Sequence, residues 1–194
     1  QKTPWLLNFV LRGGWNRAKT DFKRIKERNE AHKLLIILSF LQLFYTDKPI
    51  SKLELLKKCE IWDKDYEWFE DNLQYLVKNK IIIEEYNKYR CAHIRYADFF
   101  TYIFIENSDK DELECILKFL KEIILDENYS LQGISWVLHN VKLYGKGCYL
   151  RNNLINDEEL QKIVNRCFSC EESLNIRNAL FVIDELDQYN EKII

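Results

Sequence analysis

The residues best placed to do chemistry lie in Tyr89-Arg90-Cys91-Ala92-His93-Ile94-Arg95-Tyr96-Ala97-Asp98-Phe99-Phe100. His93 is followed by Tyr96, then by Asp98, then by two more aromatics. An imidazole close to a carboxylate could move a proton near neutral pH. Covalent or metal-assisted chemistry would also need a nucleophile or a metal, and the sequence offers neither beside this pair. The other histidines, His32 and His139, fall in helical patterns with no partner that spacing identifies. Cys167-Phe168-Ser169-Cys170 has Cys-x-x-Cys spacing, but zinc requires four ligands and no second pair or nearby histidine follows. Gly145-Lys146-Gly147-Cys148 fails as a phosphate loop on spacing and on context, and it reads as a helix-ending turn. No catalytic residue and no metal site is therefore expected, and no cofactor is expected in this chain.

The elements that hold these residues are mostly helical. The 194 residues are 47% hydrophobic and 14% aromatic, with only 5 glycines and 2 prolines. That composition supports a real core and favours helices over an all-β fold. Residues 4–12 read as a short apolar helix, which Gly13-Gly14 breaks. Residues 15–31 form a basic helix with Trp15, Ala18, Phe22 and Ile25 on one face. Residues 32–45 are apolar on every side, so that helix must be surrounded by protein. Ser51 with Glu54 suggests a capping box for a short helix carrying Leu53, Leu55, Leu56 and Cys59. Residues 65–80 form an amphipathic helix capped by Asp63 or Asp65. Residues 81–86 and 89–95 read as two strands joined by a turn at Asn87-Lys88, and His93 sits at the end of the second.

Three helices and a hairpin in that order predict a winged helix over 32–105, preceded by a helical segment over 1–31. Helical patterns follow at 98–107, 109–126, 130–144, 157–170 and 173–189. Short polar turns join them, with Ser108-Asp109, Ser130, Asn156-Asp157 and Ser173 as caps. Residues 106–194 therefore read as a helical bundle or a HEAT/TPR-like repeat. The expected fold class is mainly α.

Charge bears on partners. The net charge is −2 with a pI near 6.0. Residues 1–30 hold eight bases against three acids, and residues 151–194 hold five bases against nine acids. The segment 63–80, which holds the helix that would enter a DNA groove, has five acids (Asp63, Asp65, Glu67, Glu70, Asp71) against Lys64, Lys78 and Lys80. Phosphate repulsion makes nucleic acid an unfavoured partner. The six cysteines lie scattered in apolar patterns, and no secretory leader is recognisable. A cytoplasmic location with free thiols, without membrane contact, is the expectation. The run 34–45 is too short for a membrane span and contains Ser39 and Gln42. A start at Gln1 with no methionine anywhere suggests a piece of a longer protein.

Tyr89, Cys91, His93, Tyr96, Asp98, Phe99 and Phe100 together resemble the end of the winged-helix domain in STAND-type NTPases, including the NACHT and NB-ARC groups. In that family the histidine reaches the nucleotide site and helps hold the closed, ADP-bound state, and His93 is the matching position. Many members have Asp after that histidine and Met before it, where this chain has Ile94 and Ala92. Thr3-Pro4-Trp5-Leu6-Leu7 is similar to the segment opening the family's helical lid, with Pro4 at the adenine-packing proline and Lys2 where glycine is usual. The resemblance covers residues 1–105. It implies a non-catalytic regulatory and protein-interaction portion of a signalling ATPase, with a role in defence among the family's functions. The ATP or ADP would belong to an upstream core, and the partner would be that core or another protein, with oligomerisation left open. The alternative on composition and element order is a winged-helix DNA-binding regulator with a helical dimerisation domain.

Overall fold

The computed structural model describes residues 14–142, 147–169 and 173–187. The expected helix at 4–12, the Gly145-Lys146 turn and Cys170 lie outside them. The described chain is mainly helical with a small three-stranded antiparallel sheet. It forms two compact units. One comprises the described residues up to 42 together with 47–104, and the other comprises 43–46 with the described residues from 105 onward.

The first unit begins with α1 (Gly14–Glu27) and α2 (Ala31–Phe44). Ala18, Phe22 and Ile25 bury one face of α1, whereas Leu34 to Leu38, Phe40 and Leu41 of α2 are buried all round. Each buried Leu or Ile contributes about 1.5–3 kcal/mol, so α2 is the main source of apolar stabilisation here. The turn between them takes positive φ at Asn29 and Glu30. Two indoles pin it, with Trp68 Nε1 donating to Asn29 O at 2.8 Å and Trp62 Nε1 to Lys33 O at 3.1 Å.

A two-residue strand β1 (Ile50–Ser51) precedes α3 (Lys52–Cys59), a short 3₁₀ turn (Glu60–Trp62) and α4 (Tyr66–Lys78). Ser51 Oγ accepts from Glu54 N–H and caps α3. Of the two expected caps of α4, Asp65 does the work, accepting from Trp68 N–H at 2.7 Å. Asp63 instead adopts a left-handed conformation. After α4, Lys80 takes φ 55 while its N–H reaches Val77 O and Ile81 N–H reaches Leu76 O. That is a Schellman ending with lysine in the position glycine favours.

Strands β2 (Ile82–Glu85) and β3 (Lys88–Cys91) pair antiparallel, and β1 pairs with the other edge of β3, giving the order β1-β3-β2. The register Glu85↔Lys88 leaves Tyr86 and Asn87 as the turn, with φ 53 and 60. Two positive φ values in a two-residue loop define a type I′ turn. The turn thus falls one residue earlier than Asn87-Lys88, because the pairing register, not the local Asn signal, selects it.

β3 has strand neighbours on both sides only up to Tyr89. At Cys91 the side-chain amide of Gln42 takes over. Its Oε1 accepts from Cys91 N–H at 2.7 Å, and its Nε2 reaches Cys91 O at 3.5 Å and Asp47 Oδ1 at 2.5 Å. Gln42 is fully buried. Nearby, Ser39 Oγ lies 3.6 Å from Cys91 Sγ, and burial pushes that thiol up to about 12.

The second unit holds the later part of α5 (Ile94–Asn107), then α6 (Lys110–Leu125), α7 (Leu131–Lys142), α8 (Gly147–Leu154), α9 (Asp157–Phe168) and α10 (Ser173–Asp187). Reciprocal capping boxes open α6 (Asp109, Glu112) and α9 (Asn156, Glu159). The sequence patterns did not anticipate α8. α7 packs against α8 and α10, and α9 against α6 and α10. Arg166 on α9 donates to the carbonyls of Asp126, Glu127 and Tyr129 just beyond α6. Ser130 Oγ accepts from Gly133 N–H at 3.1 Å and donates to Phe44 O. A Cβ on Gly133 would lie 1.9 Å from Phe44 O, so only glycine fits there.

Two stability predictions follow from these contacts. Replacing Gln42 with Ala leaves the Cys91 peptide groups buried without partners and lowers unfolding free energy by about 2–3 kcal/mol. Gly133→Ala forces backbone apart and costs about 2–3 kcal/mol. Urea denaturation followed by circular dichroism measures both, and unchanged midpoints would refute the assigned roles.

Candidate functional site

The site singled out by sequence, Pro4 and His93, is only half accessible to description. Pro4 lies outside the described residues. His93 belongs to the joint Ala92-His93 between β3 and α5. The structure corrects the expectation of a strand through Arg95 and a helix from Asp98. β3 stops at Cys91, where Gln42 completes its hydrogen bonding, and α5 starts at Ile94.

His93 is the cap of that helix. Its Nδ1 accepts from Arg95 N–H at 3.1 Å, and its carbonyl accepts from Tyr96 N–H at 2.9 Å and Ala97 N–H at 3.4 Å. Helix starts need acceptors of this kind. With Nδ1 as acceptor, the neutral ring carries its proton on Nε2. Asp98 lies in the second turn of α5, where its Oδ2 is 3.5 Å from Arg95 Nη1. The pairing first suggested between His93 and Asp98 therefore has Arg95 between its members. The half-buried imidazole has a pKa held below its ordinary value. Burial is the main cause, Arg95 and Arg90 add to it, and Asp47 opposes it. Asp47 is the acid of this site that sequence reading passed over, since Asp47-Lys48-Pro49 reads only as the end of a helix.

Ala92 also lines a cavity of about 350 Å³ with Ala18 and Asp21 of α1, Lys80 and Ile81 beyond α4, and Tyr96 and Phe100 of α5. Its size matches the low end of small-molecule pockets. Its carboxylate, Asp21, is engaged by Arg24 at 3.2 Å. The cavity offers shape and a few polar groups, a binding arrangement without a nucleophile activated by a base. A second recess of about 430 Å³ lies at the start of α4 and gathers Asp63, Asp65, Glu67 and Asp71 with Lys64.

The remaining candidates have structural surroundings. His32 is buried between the rings of Phe22 and Phe104, with centroids 6.1 and 5.9 Å away. His139 Nδ1 lies 2.9 Å from Glu185 Oε1 and links α7 to α10. Cys167 is buried in α9. Among the described residues, no group of three or more His, Cys, Asp or Glu is arranged to hold a metal ion. No helix among them is long and apolar enough to cross a membrane.

A depressed histidine pKa means that the unfolded chain binds the proton first on acidification. Stability therefore falls as pH drops below about 6.5, down to the lower folded value, and is regained as pH rises. Protonation also removes the acceptor for Arg95 N–H. His93→Asn keeps a capping acceptor that does not titrate, so its stability should vary less between about pH 7 and pH 5 than that of the parent. Thermal melts across that range measure this, and identical profiles would overturn the assignment. The chain matches no protein family model, and comparison with curated proteins and with solved structures also returns no match.

Proposed function

We propose that the chain is the non-catalytic regulatory and protein-interaction portion of a STAND-like signalling ATPase. In this reading the first unit is a winged helix, and the second is a helical bundle or HEAT/TPR-like module that senses or binds a protein. The order α2-β1-α3-α4-β2-β3 with sheet order β1-β3-β2 supports the winged helix, with α4 as the helix a DNA reader would insert into a groove. The observation that carries an interaction role is the charge at the start of that helix and just before it. Residues 63 to 71 hold Asp63, Asp65, Glu67, Glu70 and Asp71, and the cation there, Lys64, is paired with Glu30 at 2.5 Å. Phosphates would be repelled, whereas a basic protein surface would be attracted.

The ATPase part of the proposal rests on the resemblance around His93 and Pro4. Packed on an upstream NTPase core, the first unit would couple sensing to nucleotide state, in the cytoplasm and in defence signalling. ATP or ADP would be bound by that core. The neutral, Nε2-protonated His93 is the form suited to donate a hydrogen bond to a phosphate oxygen.

The two parts have separate tests. The reading frame containing this chain is expected to encode a P-loop upstream of Gln1, and a frame without one removes the ATPase parent. In fluorescence anisotropy at low salt, duplex DNA is expected not to bind. Tight duplex binding that weakens steeply with salt would replace the interaction module with the DNA-binding regulator.

A further inference from the structure

α10 packs against α7 and α9, and its Ala179, Val182 and Leu186 are buried. On its other side Ile176, Leu180 and Phe181 stay 45%, 62% and 48% exposed. Seven large apolar side chains are exposed among the described residues, and three of them lie on this one helix. At 3.6 residues per turn, positions 176, 177, 180, 181 and 184 fall within an arc of about 140°. Helix geometry alone makes them one stripe. Single exposed apolar residues are ordinary, but a contiguous stripe opposite a packed face marks an interaction surface.

The charges of the stripe identify its occupant. Within the arc they are Arg177 and Asp184, both exposed. The Arg177 guanidinium lies over the Phe181 ring, 5.5 Å from its centroid. Neither Arg177 nor Asp184 forms an ion pair with another described residue. Charges on the packed side are committed within the unit. Glu185 meets His139 of α7 at 2.9 Å. On α9, Lys162 pairs with Glu158 at 2.8 Å, Glu159 with Lys121 at 3.5 Å, and Arg166 holds the carbonyls beyond α6. Asp157 opens α9, where a helix N-terminus favours an acid.

The midpoint between Arg177 and Asp184 falls between Leu180 and Phe181. A second α10, antiparallel about a two-fold axis through that midpoint, sets Arg177 of each copy opposite Asp184 of the other. The same operation sets Leu180 beside its symmetry mate and Phe181 beside its own. An isologous contact requires self-complementarity of this kind, and a foreign partner does not. We infer that the chain self-associates as a two-fold dimer through antiparallel pairing of α10. One helix pair is a small interface, so the dimer dissociates on the order of 10–100 µM. The inference goes beyond the proposed function and does not depend on it.

Sedimentation velocity of the full chain from about 5 to about 500 µM brackets that affinity. The dimer fraction is expected to rise with concentration. Arg177→Glu and Asp184→Arg are each expected to weaken association at least about tenfold, since each sets like charges opposite one another at both ends. An equimolar mixture of the two variants is expected to recover the dimer, because every facing pair is then opposite in sign. Leu180→Ser is expected to weaken it as well. All three positions are exposed, so the Tm is expected to hold; where a charge variant lowers it, Leu180→Ser carries the comparison. A parent that is monomeric at every concentration would overturn the inference and leave the stripe to a different protein. Folded single variants that associate like the parent, or a mixture no better than its components, would overturn the two-fold pairing. None of these results bears on the ATPase parent.

Discussion

The joint that carries His93 depends on one buried amide. β3 is the central strand of a sheet whose third member, β1, is only two residues long. Past Tyr89 the backbone of β3 would lose its partner on that side, and burial makes such a loss costly. Gln42 replaces the absent strand, accepting from Cys91 N–H and donating toward Cys91 O. Asp47 accepts from the same Nε2, so the amide has a defined orientation, because a carboxylate can only accept. A helix otherwise packed with leucine, isoleucine and phenylalanine must therefore carry a polar group at this position. With β3 ended there, the chain turns at Ala92-His93 and starts α5 at once.

Much of the architecture was legible because it rests on strong local signals. The all-apolar run of α2 demanded burial and is buried. The amphipathic period of α4, the Asp65 and Asp109 caps and the β-branched run around Ile82 placed their elements to within a residue or two. What escaped detection lacked such a signal. A two-residue strand is too short for an alternation to repeat, and β1 exists only because β3 passes beside it. The end of β3 depends on a glutamine 49 positions earlier, and Ile94, Tyr96 and the phenylalanines that follow look equally suited to a strand. α8 begins at Gly147, a residue that reads as a breaker, and its pattern is too short to stand out.

The candidate site shows the same division. His93 was visible as a residue, but its role as a helix cap was not, since imidazole is an uncommon cap and the helix was expected to begin at Asp98. The acidic nature of α4 was plain from sequence, and it supports the proposed interaction module more strongly than the family resemblance does. Tyr86 was read as the last residue of a strand. Only the pairing register moves it to the tip, where it takes positive φ and stands exposed. Residues whose significance comes from long-range register stay silent in a sequence, however distinctive their chemistry.

Arg166 bears on the order in which the second unit can be completed. The three carbonyls it holds lie 37 to 40 positions earlier in the chain. During synthesis, α6 and the turn after it emerge well before this guanidinium does. Until α9 docks, those carbonyls lack the guanidinium, and the turn is held by its local bonds, Tyr129 N–H to Asp126 O, Asn128 N–H to Asp126 Oδ1 and the Ser130 cap of α7. The closing loop spans two whole helices, so its entropy cost is met late and in a single step with the docking of α9. The turn after α6 thus gains its last three hydrogen bonds only after the sequence through Arg166 has been made.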